Sequence, residues 1–526
     1  MSEEPSQTRR MILTVLKLFI GTFASRILGF VRMLLMARYF GGRAAMDIFQ
    51  MAYMLPNLFR RVLGEQAVES SFLPVFKSLT TRKQVRQAWR AASVFLNWLL
   101  LALVLAAGIC YLFAPQLVAS VLAPGFDAET ATETARLGRL MCPFMVLIGL
   151  AAFCGSLLLA HGQTLAYSLA PTLFNIGWIG AMMLLHRRLG VYSLGVGVLA
   201  GGVLYLAGSA LAVIRGRRRG LIGGHCDSSA GFADAAAFRA MRLAGPVCAA
   251  ALVARCASVV DRAIASFLET GSVAGLAYAM QLVLLPFALF GLSVGRAALV
   301  PLSEHAGAND VQGFQRSAAG ALRLALVLLI PLTVGTALLA QPLADLLKAG
   351  RFQALDAEKT AIALRYYALG IAGMGFVSIL SRAMYALKDS ARPLWASVRA
   401  MVVNAILSAA LALTPLRHGG IALATSIAMT LQALLLFIGM SQKLRRLGAT
   451  RGFGPLWKPI GKICLATAVM SAAVLLAAEV RIESSSFGAR LLKVLIPGSA
   501  GAVVYGLAML VLDRHAIRQL LRRRPD

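Results

Sequence analysis

The sequence contains few charged residues for its length. Only 14% of its 526 residues are charged, against roughly 25% in a typical soluble domain, and the mean hydropathy is +0.75. Because this apolar excess is an average over the whole chain, one membrane anchor added to a soluble body does not account for it. The composition therefore excludes a soluble enzyme and a disordered chain, and it indicates a protein that lies in a bilayer.

Acidic residues are scarce, with 22 Asp and Glu against 52 Lys and Arg and a net charge of +30. Such an excess is compatible with a nucleic-acid binder, so the position of the charges must decide whether the chain is one. The basic residues cluster between apolar stretches, as the cytoplasmic loops of membrane proteins do. We therefore expect no nucleic-acid partner. The clusters are Arg9-Arg10, Arg82-Lys83, Arg215 with Arg217 to Arg219, Lys443 with Arg445-Arg446, and Arg522 to Arg524.

Histidine and cysteine are rare as well, with six and seven residues. The chain contains no HExxH, GxSxG or P-loop pattern, and the adjacent His225 and Cys226 lack companion ligands for a metal. A disulfide scaffold is excluded by the low cysteine count. We expect no catalytic residues, no metal and no cofactor, and we interpret the cysteines within apolar stretches as packing residues.

Long apolar stretches are abundant, and about fourteen are long enough to cross a bilayer as helices. They predict an all-α polytopic membrane protein. Alternate connections place the basic loops 77–90, 215–219, 388–392 and 443–462 on one side with both termini, and the positive-inside rule makes that side cytoplasmic. The N-terminal residues show no removable signal peptide. The approximate centres of the stretches are residues 24, 60, 102, 149, 175, 203, 256, 288, 329, 372, 405, 430, 470 and 500.

An internal repeat links the two halves of the chain. Arg32, Gly41 and Pro56 recur as Arg262, Gly271 and Pro286 at an offset of 230 residues. Repeated halves are common in transporters. The repeat predicts two six-helix lobes, related by a pseudo-twofold axis along the membrane normal and followed by two further helices. The predicted parts are an N-lobe at 1–215, a basic cytoplasmic linker at 216–239, a C-lobe at 240–440, and a final part at 441–526 with two helices and a basic tail.

Arginines interrupt the first two apolar stretches, at Arg26 and Arg32 and then at Arg60. A charge inside a membrane span costs at least about 2.5–3.5 kcal/mol, so it normally faces the protein interior or water. A structural alternative for Arg32 is snorkelling to the interface or pairing with Asp47. Glu65 follows Arg60 closely enough for a loose pairing within the helix.

The seventh and eighth stretches repeat this design with Arg255, Arg262, Gln281 and Arg296. Several guanidinium groups therefore accumulate with few carboxylates to neutralise them, which predicts a cationic cavity between the lobes. Arginine suits bidentate recognition of phosphate and stays charged where it is desolvated. We expect an anionic ligand that carries phosphate.

At these residues the sequence resembles the MurJ/MviN family of lipid II flippases, within the multidrug/oligosaccharidyl-lipid/polysaccharide exporter superfamily. The resemblance covers nearly the whole chain. The motifs that carry it are Ser25-Arg26-x-x-Gly29-Phe30-x-Arg32, Asp47, Leu55-Pro56-Asn57-x-x-Arg60-Arg61, Glu65, Ala123-Pro124-Gly125-Phe126, Ala170-Pro171-Thr172-x-x-Asn175, Gly271-Ser272-Val273 and Tyr385-Ala386-Leu387-x-Asp389.

The resemblance implies fourteen helices in two lobes and export of an undecaprenyl-diphosphate-linked peptidoglycan precursor across the bacterial cytoplasmic membrane. It implies that Arg26, Arg32 and Arg60 line the cavity, with Asp47 and Glu65 as acidic residues near them. Ser25 and Asn57 belong to the same motifs and are candidate supporting residues. The partners implied are the lipid substrate, membrane lipids and cell-wall synthesis proteins, and we expect a monomer.

Two positions depart from the family pattern. Met33 stands where the family usually has an acidic residue, and Gln281 stands near the place of an expected arginine in the eighth helix. The second departure removes one expected phosphate contact. We expect a second-lobe cation to compensate, with Arg262 as the first choice, Arg255 as the second and Arg296 as the third.

Three other functions compete with a lipid II flippase. The first is a superfamily exporter of another polyprenyl-linked saccharide or of a small molecule, although a cation exporter would show carboxylates in its cavity. The second is a membrane-embedded transferase, which would present Asp pairs or a catalytic His near a membrane face. The third is a scaffold for cell-wall synthesis that transports nothing.

Overall fold

The structure is a computed structural model, and it describes residues 7–62, 68–224, 231–449, 460–480, 484 and 486–512. Within these ranges the chain is almost entirely helical, with no strand. The predicted all-α class is confirmed. Glu65, His225 and Cys226 lie outside the described residues.

The chain divides into two compact units, Met1–Phe267 and Leu268–Asp526. The first unit contains ten α-helices and three short π-helical segments among its described residues, at 60–62, Val68–Phe72 and Val118–Leu122. Its helices are α1 Gln7–Phe40, α2 Ala44–Phe59, α3 Leu73–Thr81, α4 Val85–Leu112, α5 Ala114–Leu117, α6 Ala128–Met141, α7 Pro143–Ala160, α8 Thr164–Leu189, α9 Tyr192–Arg218 and α10 Ala235–Ala265.

The second unit contains nine helices in the part that the structure describes. They are α11 Ser272–Gly307, α12 Val311–Leu338, α13 Ala340–Asp345, α14 Ala354–Ala368, α15 Ile371–Ala386, α16 Ala391–Ala412, α17 Arg417–Arg446, α18 Ile460–Ala478 and α19 Phe487–Leu512. The main packing partners here are α11 with α12, α14 and α15, α16 with α17, and α18 with α19.

The compact units do not coincide with the predicted lobes. We expected α10 to open the C-lobe at residue 240, but α10 packs on α2, α3, α4 and the π-helical segments Val68–Phe72 and Val118–Leu122 of the first unit. The boundary between the units therefore follows Phe267 and does not lie in the linker 216–239. The functional division into lobes and their twofold relation stay predictions.

Ten helices in the described ranges are long and apolar enough to cross a membrane, and a bent pair makes up to eleven. The predicted count of fourteen is thus not confirmed. Among the stretches predicted as spans, those near residues 24, 60 and 256 have no match in this set. Their helices are α1, α2 and α10, and α2 has only 16 residues.

Two segments of the chain depart from one straight span or an extended loop. The stretch near residue 372 is not one straight helix, because α14 and α15 form the bent pair, with 45° between them. The segment 123–136 is largely helical, since α6 begins at Ala128. Asp127 caps that helix by accepting a hydrogen bond from the backbone N–H of Thr130 at 3.1 Å, the usual role of Asp at a helix N-terminus.

Small residues allow α8 and α9 to pack closely. A Cβ atom added at Gly177 would lie 2.9 Å from the backbone of α9, and one at Gly201 would lie 2.5 Å from the carbonyl oxygen of Phe174 on α8. In membranes, helices associate through such close backbone approach, because burial of apolar surface drives little association there. This contact fixes α8, which carries the central polar residues of the site.

Two pairs of the repeated residues occupy matching places in the order of the helices. Gly41 lies between α1 and α2, Gly271 lies between α10 and α11, and both have positive φ angles, 75° and 92°. Glycine suits these turns because it adopts positive φ without a Cβ clash. Pro56 and Pro286 lie inside α2 and α11.

Candidate functional site

Arg32 lies on α1 and is partly buried. Its Nη1 donates a hydrogen bond to the side-chain oxygen of Asn175 on α8 at 3.0 Å. The partner is a neutral amide, so this hydrogen bond does not neutralise the charge of the guanidinium. This hydrogen bond is made to Asn175, and the pairing of Arg32 with Asp47 that the sequence offered as an alternative stays a prediction.

Asn175 holds Arg32 in place through three further hydrogen bonds. Its amide nitrogen donates to the carbonyl oxygen of Ser25 at 3.2 Å, to the hydroxyl of Ser25 at 3.3 Å and to the carbonyl oxygen of Pro171 at 3.2 Å. Only 5% of Asn175 is exposed. Because the amide oxygen faces Arg32 and the nitrogen faces Ser25, the Asn175 side chain joins α8 to the two turns of α1 that carry Arg32 and Ser25.

Aromatic rings cover the guanidinium of Arg32. Its Cζ lies 4.0 Å from the ring centroid of Trp178 and 5.9 Å from that of Phe174. Trp178 in turn packs edge-on against Tyr53 of α2, with 5.4 Å between ring centroids. A cation on an aromatic face gains about 0.5–2 kcal/mol. The arrangement stabilises a charge in the interior of a helical unit.

Arg60 follows α2 directly and lies close enough to Arg32 for their charges to repel. Its Nε donates to the side-chain oxygen of Asn57 at 3.0 Å. Residues 60–62 are π-helical and follow Pro56, which interrupts the regular hydrogen-bond ladder. The irregular backbone places two cations, Arg32 and Arg60, in one region of the first unit.

Arg262 is near the end of α10 and contacts α2. Its Nη1 donates to the backbone oxygen of Gln50 at 3.2 Å. We expected Arg262 to serve as a cation of the second lobe, but this hydrogen bond lies wholly within the first compact unit. The role of Arg262 as a cation of the second lobe stays a prediction, although the repeat position alone does not specify the packing of α10 on the first unit.

Two buried carboxylates lie near these arginines in sequence. Asp47 is 4% exposed and belongs to the first turn of α2, and Asp261 is 7% exposed on α10. A carboxylate in the first turn of a helix is stabilised by the helix dipole. Both also make polar contacts, as buried charges require.

The remaining candidate residues are exposed. Arg26 on α1, Arg255 on α10, and Gln281 and Arg296 on α11 all have exposed side chains. Arg296 lies near Arg382 of α15, so two cations neighbour each other in the second unit. Met33, the first departure from the family pattern, is only 2% exposed. It therefore packs in the core and takes no place in the cationic region.

Sequence reasoning missed the aromatic cover and Arg382. Trp178 and Tyr53 come from α8 and α2, and their apolar surroundings resemble ordinary core positions. Arg382 belongs to the apolar helix α15 and is partly buried. An arginine inside an apolar stretch was the available signal for it.

The Ala123-Pro124-Gly125-Phe126 motif docks on the end of α10. The backbone N–H of Gly125 donates to the hydroxyl of Ser266 at 3.0 Å. A Cβ atom at Gly125 would lie 2.5 Å from the backbone nitrogen of Phe267, so a side chain has no room there. The motif thus helps to hold α10, and with it Arg262, in the first unit.

The profile of a known family matches residues 36–494, and its description is Lipid II flippase MurJ. The chain belongs to the MurJ family. The match begins at residue 36 near the end of α1, so it leaves out Ser25, Arg26 and Arg32, and it extends through both compact units.

Individual MurJ proteins match over most of the chain. A protein of Burkholderia cenocepacia named "Lipid II flippase MurJ" is 29% identical over 430 residues, which cover 80% of this chain and 82% of the relative. One of Rickettsia prowazekii, named "Probable lipid II flippase MurJ", is 28% identical over 494 residues, covering 93% and 94%.

Solved structures agree with the MurJ assignment. A structure described as "Lipid II flippase MurJ, inward closed conformation" has a TM-score of 0.78 and 26% identity, and it covers 96% of this chain and 99% of its own. A multidrug resistance MATE family transporter of the MOP superfamily in an inward-facing conformation has a TM-score of 0.65 at 15% identity, covering 83% and 96%. The MATE likeness shows a shared fold.

Proposed function

We propose that this protein moves lipid II, the polyprenyl-diphosphate-linked peptidoglycan precursor, from the inner to the outer leaflet of the bacterial cytoplasmic membrane by alternating access. The observation that carries the proposal is the state of Arg32. Its guanidinium is partly buried, its hydrogen-bond partner is a neutral amide, and its Nε is buried without a hydrogen bond among the described residues. A buried donor without a partner is rare in proteins, and a phosphate oxygen would satisfy it.

Arg32 and Arg60 would bind the diphosphate together. Two guanidinium groups close in space repel each other, and an anion with several phosphate oxygens removes this repulsion while it accepts charge-assisted hydrogen bonds. Asn175 and Trp178 hold Arg32 so that its orientation does not depend on the ligand. Tyr53 and Asn57 complete the surroundings from α2. Arg26, Arg255 and Arg262 are further cations for the headgroup, and Gln281 and Arg296 are supporting residues of the second lobe.

Transport of this kind makes and breaks no covalent bond. A polar headgroup that enters hydrocarbon loses its hydration, which costs several kcal/mol for each polar group left without a partner. Side chains that replace the water lower this barrier, while the polyprenyl tail stays in lipid. We infer a carrier without enzymatic activity or cofactor that acts as a monomer, with both termini in the cytoplasm because the basic loops share that side.

The test is the amount of lipid II exposed in the outer leaflet of cells that depend on this protein. An added enzyme that cleaves only exposed lipid II reports it. Depletion should decrease the cleaved fraction, and wild-type protein should restore it. Unchanged exposure after depletion would exclude a lipid II flippase, whereas accumulation of another polyprenyl-linked saccharide on the cytoplasmic side would identify a different exported lipid.

A further inference from the structure

A second cationic site lies in the first compact unit, in a cavity between α3 and the start of α10. The cavity has a volume of about 450 Å³, within the range of roughly 300–1,000 Å³ that small-molecule pockets occupy. Its lining combines Arg82, which caps the end of α3, with Arg239 and Arg242 from the first turns of α10.

The three arginines converge from distant parts of the chain without a counter-charge. Arg239 and Arg242 are three residues apart on one helix, where like charges repel, and Arg82 adds a third charge. Among the residues that the structure describes, no carboxylate lines the cavity and none of the three arginines forms an ion pair. Basic loop residues are expected on the cytoplasmic side, but topology alone does not require them to share one cavity.

The rest of the lining is apolar or small. Val75 and Leu79 form one wall, and Leu79 is buried with 6% of its surface exposed. Ser78 is exposed beside them, and its hydroxyl donates to the carbonyl oxygen of Val75 at 2.8 Å. A ligand for this cavity therefore combines a multiply charged anion with an apolar group.

We propose that this cavity is a loading site that binds the diphosphate and the first isoprene units of the lipid substrate before the substrate reaches Arg32. The inference rests on the proposed function and on the prediction that the loop 77–90 faces the cytoplasm. A diphosphate matches three guanidinium groups better than a phosphodiester headgroup does, because it carries more than one negative charge. Val75 and Leu79 provide the apolar surface for the lipid part.

The experiment measures protection of a cysteine placed in the cavity. Ser78→Cys is introduced into the full-length protein in detergent, and its alkylation by a maleimide is followed by peptide mass spectrometry, which separates it from the native cysteines. The probe is farnesyl diphosphate. We expect it to slow alkylation at residue 78, and we expect farnesol, inorganic diphosphate and phosphatidylglycerol vesicles at equal concentration to protect far less.

Variants tie the protection to the arginines. Arg239→Gln combined with Arg242→Gln should weaken the protection about tenfold or more, because charge-assisted hydrogen bonds are lost, and Arg82→Gln should act in the same direction from α3. Arg86→Gln combined with Arg90→Gln is the matched control, since both residues are exposed on α4 and lie outside the cavity lining. Thermal unfolding identifies any variant that is misfolded.

Some outcomes overturn the loading site. Equal protection by phosphatidylglycerol would make the cavity a general phospholipid site, and equal protection by inorganic diphosphate would make it a site for free anions. Absence of protection in the wild-type background, with lipid II transport intact, would refute the loading site and leave the flippase assignment standing. Loss of transport in Arg32→Ala with normal protection at residue 78 would support two separate binding sites, one in the cavity and one at Arg32.

Discussion

The guanidinium of Arg32 on α1 and the side-chain amide of Asn175 on α8 form a hydrogen bond of 3.0 Å across 143 residues of sequence. The amide nitrogen of Asn175 returns to Ser25 on α1. One neutral side chain thus orients a cation that no carboxylate neutralises at that contact. This contact therefore differs from a structural ion pair.

Asn175→Ala should destabilise the protein by about 1–3 kcal/mol, because it leaves buried groups of Arg32 and Ser25 without hydrogen-bond partners. Ser25→Ala removes only the hydroxyl and keeps the carbonyl acceptor, so its effect should be smaller. Thermal unfolding in detergent measures both. Equal loss of stability in the two variants would contradict the central place of Asn175.

Asn175→Asp should keep the fold and decrease transport. A carboxylate at this position would form an ion pair with Arg32 and neutralise the charge that the phosphate needs. The measurement is lipid II transport in reconstituted vesicles, with thermal stability as the control for folding. Transport at the wild-type rate in this variant would argue against charge recognition by Arg32.

Trp178→Leu should weaken the fold both through lost core packing and through Arg32. The ring lies 4.0 Å below the guanidinium, so we expect a coupling energy of about 0.5–2 kcal/mol in a double-mutant cycle with Arg32→Ala. Unfolding free energies of the two single variants and the double variant give this value. Strict additivity would show that Trp178 is only a core residue.

Asp389 makes the stability of the fold depend on pH, independently of the candidate functional site. It lies between α15 and α16 and forms ion pairs with Lys443 at 3.0 Å and Arg392 at 2.8 Å. Partial burial raises the pKa of Asp389, but hydrogen bonds from Lys443 and from the backbone of Arg392, together with both charges, lower it more, so the pKa is below its ordinary value.

A carboxylate whose pKa is lowered in the folded state stabilises the fold at pH values above its pKa in the unfolded chain, about 3.9. This stabilisation is lost as the pH falls through the pKa of the folded state. Asp389→Asn should therefore unfold at a lower temperature than wild type at pH 7. The two proteins should converge as the pH is lowered below about 4. A constant difference between them over this range would contradict the assignment.

The sequence predicted the helical class, the repeated pairs and the location of the arginines, because each depends on local composition or spacing. Arg32 stands out since a charge in an apolar stretch is rare. Its contacts with Asn175 and Trp178 join α1 to α8, and no local pattern encodes such tertiary pairs. The packing of α10 on the first unit depends on contacts such as Gly125 with Ser266, which the repeat spacing does not specify.

Lipid II transport by purified Arg32 variants in reconstituted vesicles tests the account most directly. Arg32→Ala should abolish transport with the fold retained, and Arg32→Lys should restore only part of it, because lysine lacks the bidentate fork. Arg38→Ala is the matched control, since Arg38 is an exposed arginine near the end of the same helix, and it should transport normally. Normal transport by a folded Arg32→Ala protein would contradict the account.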